Sequence, residues 1–166
     1  MYVLKTVFCF LGVLFSSCFM SGYAAEFKLK GITVSHPYLV VFGENAKSGA
    51  GYFVVSNKNS SPIGLNGVDA NFGVAMFHKT DVDKKGIAKM KHLKSIIIPG
   101  NGSLKLEPGN FHLMFKNIGT ALNENTKYPV KLFFEGQGSI EVDFMLKSRK
   151  KKQTAHNHSN SHKHDH

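Results

Sequence analysis

Between Phe27 and Leu146, apolar and polar positions alternate in short runs interrupted by turn residues. Ile32-Thr33-Val34-Ser35-His36 runs up to Pro37. A polar, glycine-rich connection from Gly43 to Gly51 leads into Tyr52-Phe53-Val54-Val55, and Asn57 to Pro62 is a turn cluster. Further runs occupy Ile63 to Val68, Val74 to His78, Ile87 to Lys91, Ser95 to Ile98 and Ser103 to Glu107. Pro99-Gly100-Asn101-Gly102 and Pro108-Gly109 are turn chemistry, and Tyr128 to Phe134 with Ser139 to Leu146 reads as a closing hairpin across Glu135-Gly136-Gln137-Gly138. No window sustains a 3.6-residue apolar period of helix length, and Thr120 to Asn125 has room for one short turn only. Roughly eight or more short strands, spaced by roughly 8–12 residues, predict an all-β sandwich or barrel.

The pattern changes at both ends. Residues 1–24 read as a secretory signal: Lys5, an almost unbroken apolar run from Val7 to Met20, then Gly22-Tyr23-Ala24 as a small-x-small cleavage site. The run is short for a membrane span and polar chain follows it closely, so no insertion is expected after cleavage. Phe15-Ser16-Ser17-Cys18 faintly resembles a lipoprotein cleavage box, a weaker alternative to simple export. Residues 25–146 form one domain, and residues 147–166 form a basic, His-rich tail whose only apolar residue from Thr154 on is Ala155, a composition that predicts disorder.

Both cysteines, Cys9 and Cys18, lie inside the signal, so the mature chain has no disulfide, no thiol nucleophile and no thiolate ligand. Of the formal charge of +10, the tail supplies +5 and the domain about +4. Half the excess therefore sits on a solvated extension that attracts anionic surfaces. Export makes nucleic acid a poor partner. Lys47-Ser48 lacks the glycine before the lysine that a phosphate-cradling loop needs, and no Ser/His/Asp or two-carboxylate arrangement suggests a hydrolase, so the chain reads as a non-enzyme.

The chemistry concentrates in Phe111-His112-Leu113-Met114-Phe115. Strand alternation puts the two phenylalanines and Leu113 on one face, and His112 with Met114 on the other. Val74-Ala75-Met76-Phe77-His78 likewise sets Phe77 against Met76 and His78, and Met90 stands between two lysines, an odd place for a core residue. His78, Met90, His112 and Met114 together offer two imidazoles and two thioethers. That set selects Cu(I), a soft closed-shell ion, whereas Zn(II) and Cu(II) prefer nitrogen and oxygen donors. Uncharged donors leave the ion's charge uncompensated, which favours transfer over storage. Met76 reads as a packing residue, His36 as a turn or strand-end residue, and His92 as solvent-facing on the strand face opposite Met90.

The intervals between these residues are specific. After His78 and one further residue, ten positions precede Met90, twenty-one more precede His112, and Met114 follows one residue later. This resembles the signature of the PCuAC family of periplasmic copper(I) chaperones, His-(Met)-x10-Met-x21-His-x-Met. Ile32 to Tyr38, Gly49-Ala50-Gly51-Tyr52-Phe53 and Pro108 to Met114 are similar to stretches of the same family, over roughly residues 31–146. The resemblance implies a cupredoxin-like Greek-key β-sandwich holding one Cu(I) at a shallow site through His78, Met90, His112 and Met114. It also implies periplasmic delivery to the CuA centre on subunit II of cytochrome c oxidase, alongside a Sco-type protein. One departure is visible: Lys79 stands where many members have methionine, which places a cation in sequence beside the site.

The tail adds His156, His158, His162, His164 and His166, nitrogen donors for Cu(II), Zn(II) or Ni(II). Its functional reading is Cu(II) capture near the Cu(I) site. Competing readings of the whole chain are a copper or zinc buffer for metal resistance and a secreted sandwich that mediates protein contacts. An electron-transfer cupredoxin is disfavoured because a blue-copper site needs a cysteine ligand.

Overall fold

The computed structural model describes residues 25–147 apart from residues 42 and 44; the signal segment and the His-rich tail lie outside them. The described residues form eleven strands: β1 Glu26–Leu29, β2 Ile32–Val41, β3 Ser48–Asn57, β4 Ile63–Ala70, β5 Val74–Val82, β6 Ala88–Leu93, β7 Ile96–Ile98, β8 Gly102–Leu106, β9 Phe111–Lys116, β10 Lys127–Phe134 and β11 Gly138–Leu146. They hydrogen-bond in the order β6-β5-β9-β3-β2-β11-β10-β4-β7, with β1 on β2 and β8 on β3. Neighbours are antiparallel except β11 and β2.

β2 and β3 fold this ladder into a sandwich by changing partners halfway. The first half of β3 pairs with β9 (Ser48↔Lys116 to Gly51↔Leu113), and the second half pairs with β8 (Phe53↔Leu106 to Asn57↔Gly102). β2 pairs with β1 at its start and with β11 at its end, through Tyr38↔Met145 and Leu39↔Leu146. Two expectations are corrected here. β2 does not end at Pro37: the register with β3 shifts between Ser35 and Tyr38, His36 adopts φ 55°, and the strand continues to Val41. The bulge absorbs the proline, which cannot donate to a ladder. The connection before β3 is also shorter than expected, since Ser48 to Gly51 already belong to the strand.

Alternation along the strands builds the core. Leu39, Phe53, Val55, Leu65, Phe77, Leu113, Phe115, Val130, Leu132, Val142 and Phe144 are all buried inside it. Phe144 meets Phe53 edge-on at 5.9 Å and Phe115 at 6.4 Å between ring centroids. Gly51 makes this packing possible, because a Cβ there would lie 2.8 Å from Phe115 Cε2 and 3.1 Å from Phe144 Cε1. Asn57, buried among the described residues, is satisfied: its Nδ2 donates to the carbonyls of Ser61 (2.9 Å) and Pro99 (3.3 Å), and its Oδ1 accepts from Asn59 N (3.0 Å). The core lies behind β3, β9 and β5, so their opposite faces point outward, and the chemistry sits there.

Candidate metal centre

Phe77, Leu113 and Phe115 are drawn into the core, which turns the alternate residues of β5 and β9 to the outer face. The two strands pair Met76 with Met114 and His78 with His112. In-register partners share a face, so two imidazoles occupy one rung and two thioethers the next. The His78 and His112 rings stand edge-to-face with centroids 5.8 Å apart.

The two histidines are held differently. His112 is buried, and its Nδ1 donates to the Asn110 carbonyl at 2.9 Å. A carbonyl can only accept, so this bond places the ring proton on Nδ1 and leaves Nε2 with its lone pair available to a metal. Asn110 O also accepts from Thr80 N at 3.2 Å, which ties β5 to β9 beside the site. His78 Nδ1 is buried with no hydrogen-bond partner among the described residues. Burial, and then the neighbouring His112, His92 and Lys116, hold the His78 pKa below its ordinary 6.5. A neutral imidazole with an unpartnered buried nitrogen is a ligand whose lone pair is costly to leave unused. A half-buried thioether on the next rung, Met114, adds a soft donor.

Met90 is placed differently. β6 pairs Met90 with Thr80 and His92 with His78. Met90 therefore lies on the same face but one rung beyond the imidazoles, on the side away from Met114, and is 63% exposed. Thr80 and Met76, the β5 partners of Met90 and Met114, are about 13 Å apart at a strand's rise, and β6 and β9 flank β5 at about 4.8 Å each, so the two methionine Cα atoms are about 16 Å apart along a flat sheet. The structure thus brings His78, His112 and Met114 together and leaves Met90 on β6 one rung nearer the hairpin turn, diagonal to His78, where its long side chain has to lean toward the imidazoles to deliver its sulfur. Among the described residues, no three His, Cys, Asp or Glu side chains are already gathered around one point.

His92 departs from expectation. It is solvent-exposed, as expected, but it does not face away from Met90: positions two apart in a strand share a face, and the His92 ring is 5.7 Å from that of His78. That parity was the signal that would have placed it. Lys79 is also not a cation against the site. It points to the opposite face, where its Nζ lies 3.0 Å from Asp81 Oδ1 and 5.6 Å from the centre of the Phe111 ring. Met76 packs half-buried against its rung partner Met114. Tyr52, not singled out by spacing, extends the row of rings from the other side, 6.4 Å from His112 and 5.1 Å from Tyr38. The tail histidines His156, His158, His162, His164 and His166 lie outside the described residues.

A model of the family described as "Putative lipoprotein LpqE-like" matches residues 32–146. No curated protein matches the chain. Among solved structures, the copper-bound PCuAC domain from PmoF2 is 21% identical with a TM-score of 0.65, covering 75% of this chain and 99% of that one. The apo PCuAC domain from PmoF1 is 21% identical with a TM-score of 0.64, over 75% of this chain and 100% of its own. The Cu(I) form of DR1885 from Deinococcus radiodurans is 20% identical with a TM-score of 0.57, over 79% and 85%. At such identities the likeness is one of fold. The chain belongs to the LpqE-like family, and its body is a cupredoxin-like β-sandwich of the kind seen in PCuAC domains.

Proposed function

We propose that this protein is an exported copper(I) metallochaperone that binds one ion through His78, Met90, His112 and Met114. It passes the ion by ligand exchange to the CuA centre on subunit II of cytochrome c oxidase, alongside a Sco-type partner. The observation that carries this reading is the pairing of His78 with His112 on one outward rung, with the Met114 thioether beside them. Two nitrogens and a sulfur on the sheet face turned away from the core suit a soft monovalent ion that must leave again. Two structures of the same fold hold copper: the PmoF2 domain and DR1885, the latter as Cu(I). Met90 on its exposed hairpin is the donor free to arrive last and leave first, so an acceptor's ligands can replace it without the bare ion entering water.

The tail is read as a Cu(II)-capturing extension. Lys147, the last described residue, has its Nζ 3.9 Å from the centre of the Tyr38 ring, at the end of the ring row that leads through Tyr52 to His112. His156 lies nine residues beyond Lys147, a span of at most about 32 Å, enough to bring tail donors to the site. Cleavage after the signal places the protein in the periplasm, and the lipoprotein wording of the family's description keeps Cys18 in view as an anchor. Export is common to both.

X-ray absorption on the Cu(I)-loaded chain tests the assignment: both sulfur and imidazole nitrogen are expected around the ion. His112→Ala and Met114→Ala should each weaken Cu(I) by more than tenfold, since each removes one donor of four. An all-nitrogen shell, or wild-type affinity in either variant, would end the reading.

A further inference from the structure

The outer face of β9, β5 and β6 carries three imidazoles on one rung, one more than the proposed Cu(I) set uses. His92 is in register with His78, which is in register with His112. The ring centroids are 5.7 Å apart on one side of His78 and 5.8 Å apart on the other, with planes near perpendicular at 85° and 90°. Two imidazoles that share an ion through nitrogens at about 2.0–2.1 Å hold their ring centres within about 6.5 Å of each other. Both adjacent pairs satisfy that limit, and the outer pair, His92 and His112, meets it once the exposed His92 ring turns toward His78. The middle ring has a buried nitrogen without a hydrogen-bond partner among the described residues, and the outer ring, His92, is exposed and able to turn inward.

We infer that His92 is a further ligand of this centre: with His78 and His112 it forms a nitrogen-only face that takes Cu(II). The inference deepens the proposed function and rests on its placement of copper against His78 and His112. β6 presents two donors to the same ion from positions two apart, the Met90 thioether and the His92 imidazole. They differ in kind. Cu(I) tolerates and favours thioether, whereas Cu(II) prefers nitrogen. Met90 reaches the imidazoles along the diagonal from one rung away, while His92 is directly beside His78 on the same rung. The strand therefore offers a soft donor to the monovalent ion and a nitrogen donor to the divalent one, on a single scaffold.

The test uses the full chain with His156, His158, His162, His164 and His166 replaced by alanine, so that Cu(II) reports on the body alone. Loaded with one equivalent of Cu(II), this protein should give electron paramagnetic resonance and electron spin echo signals from three coupled imidazole nitrogens. His92→Ala should reduce the count to two and weaken Cu(II) at least tenfold, with the amide spectrum of the metal-free protein otherwise unchanged. His36→Ala, which removes an exposed imidazole at the β2 bulge, should leave the count at three. An unaltered count and affinity in His92→Ala, or no Cu(II) held by the body, would overturn the inference. The Cu(I) reading is judged separately, by the response of Cu(I) affinity to His112→Ala, so either result can fail while the other stands.

Discussion

His78 and His112 occupy one rung yet meet different surroundings. His112 has its Nδ1 proton fixed on Asn110 O. His78 has a buried nitrogen without a hydrogen-bond partner among the described residues, and His112, His92 and Lys116 stand near it. Folding therefore disfavours the charged His78 ring. The unfolded chain titrates at about 6.5 and takes up its proton first as pH falls. The stability contributed by the neutral ring is complete above 6.5 and is lost as pH drops from there toward the lower folded-state value, levelling off below it. Ring NMR of the metal-free protein should show the His78 midpoint below 6.5, with urea midpoints lower at pH 5.5 than at 7.5; a midpoint at or above 6.5 would contradict the account. Gly51 makes a second residue-level prediction. Its Cβ would meet two core rings, so Gly51→Ala should cost about 1–3 kcal/mol of overpacking, read by chemical denaturation. The face assignments of His78, His112 and Met114 were legible in the sequence because they need only the two-residue period and an adjacent phenylalanine or leucine. The Gly51 contact was not, because it depends on which rings β9 and β11 bring behind β3.

The β5–β6 hairpin sets the reach of Met90, the fourth of the proposed donors. Its turn is closed by Asp83, whose Oδ1 accepts from Lys85 N at 2.9 Å and Ile87 N at 3.0 Å. The Asp83 amide donates to Ile87 O at 3.0 Å, and Gly86 takes φ +78°. Below the turn, Asp81 lies between Lys79 at 3.0 Å and Lys91 at 2.9 Å, which offsets two lysines that the register places opposite each other. Exposed pairs of this kind contribute little against solvent screening; the turn matters more. Asp83→Ala removes the acceptor for two amides, and Gly86→Ala puts a Cβ on a left-handed residue at a cost of about 1–2 kcal/mol. Either change should speed amide exchange in residues 82–93 and lower Cu(I) affinity, while exchange in β9 and β3 stays slow; unchanged Cu(I) affinity with a loosened hairpin would show that Met90 is not a ligand. The spacing from His78 to Met90 singled out both residues. It did not show that they sit on different rungs, because that offset is set by where Asp83 and Gly86 turn the chain. His92, by contrast, lies on the Met90 face by parity alone, two positions on in the same strand, while the bulge at His36 that carries β2 past Pro37 leaves no such signal.

Charge is distributed over the whole molecule in a way that composition alone conceals. Residues 74–94, the hairpin and its exit, hold Lys79, Lys84, Lys85, Lys89, Lys91 and Lys94 against Asp81 and Asp83, while the rest of residues 25–146 carries eight lysines and eight carboxylates. The body's net positive charge therefore belongs to the element that bears Met90 and His92. Exposed apolar side chains lie among these cations: Val82 at 60%, Ile87 at 54% and Met90 at 63%. A positive rim around a small apolar tip steers an anionic partner toward the donors and raises encounter rates by about 10- to 1,000-fold at low salt. The Debye length is about 10 Å at 0.1 M and about 3 Å at 1 M, so the advantage is removable. Stopped-flow transfer of Cu(I) from this protein to a soluble, acidic CuA domain should slow by at least tenfold as salt rises across that range. Lys84→Glu with Lys85→Glu should slow it at low salt and flatten the dependence, without altering Cu(I) affinity, since neither lysine touches the proposed donors. A transfer rate indifferent to both salt and charge reversal would mean that the acceptor approaches by another face, leaving the donor set as proposed but its delivery route unassigned to the hairpin.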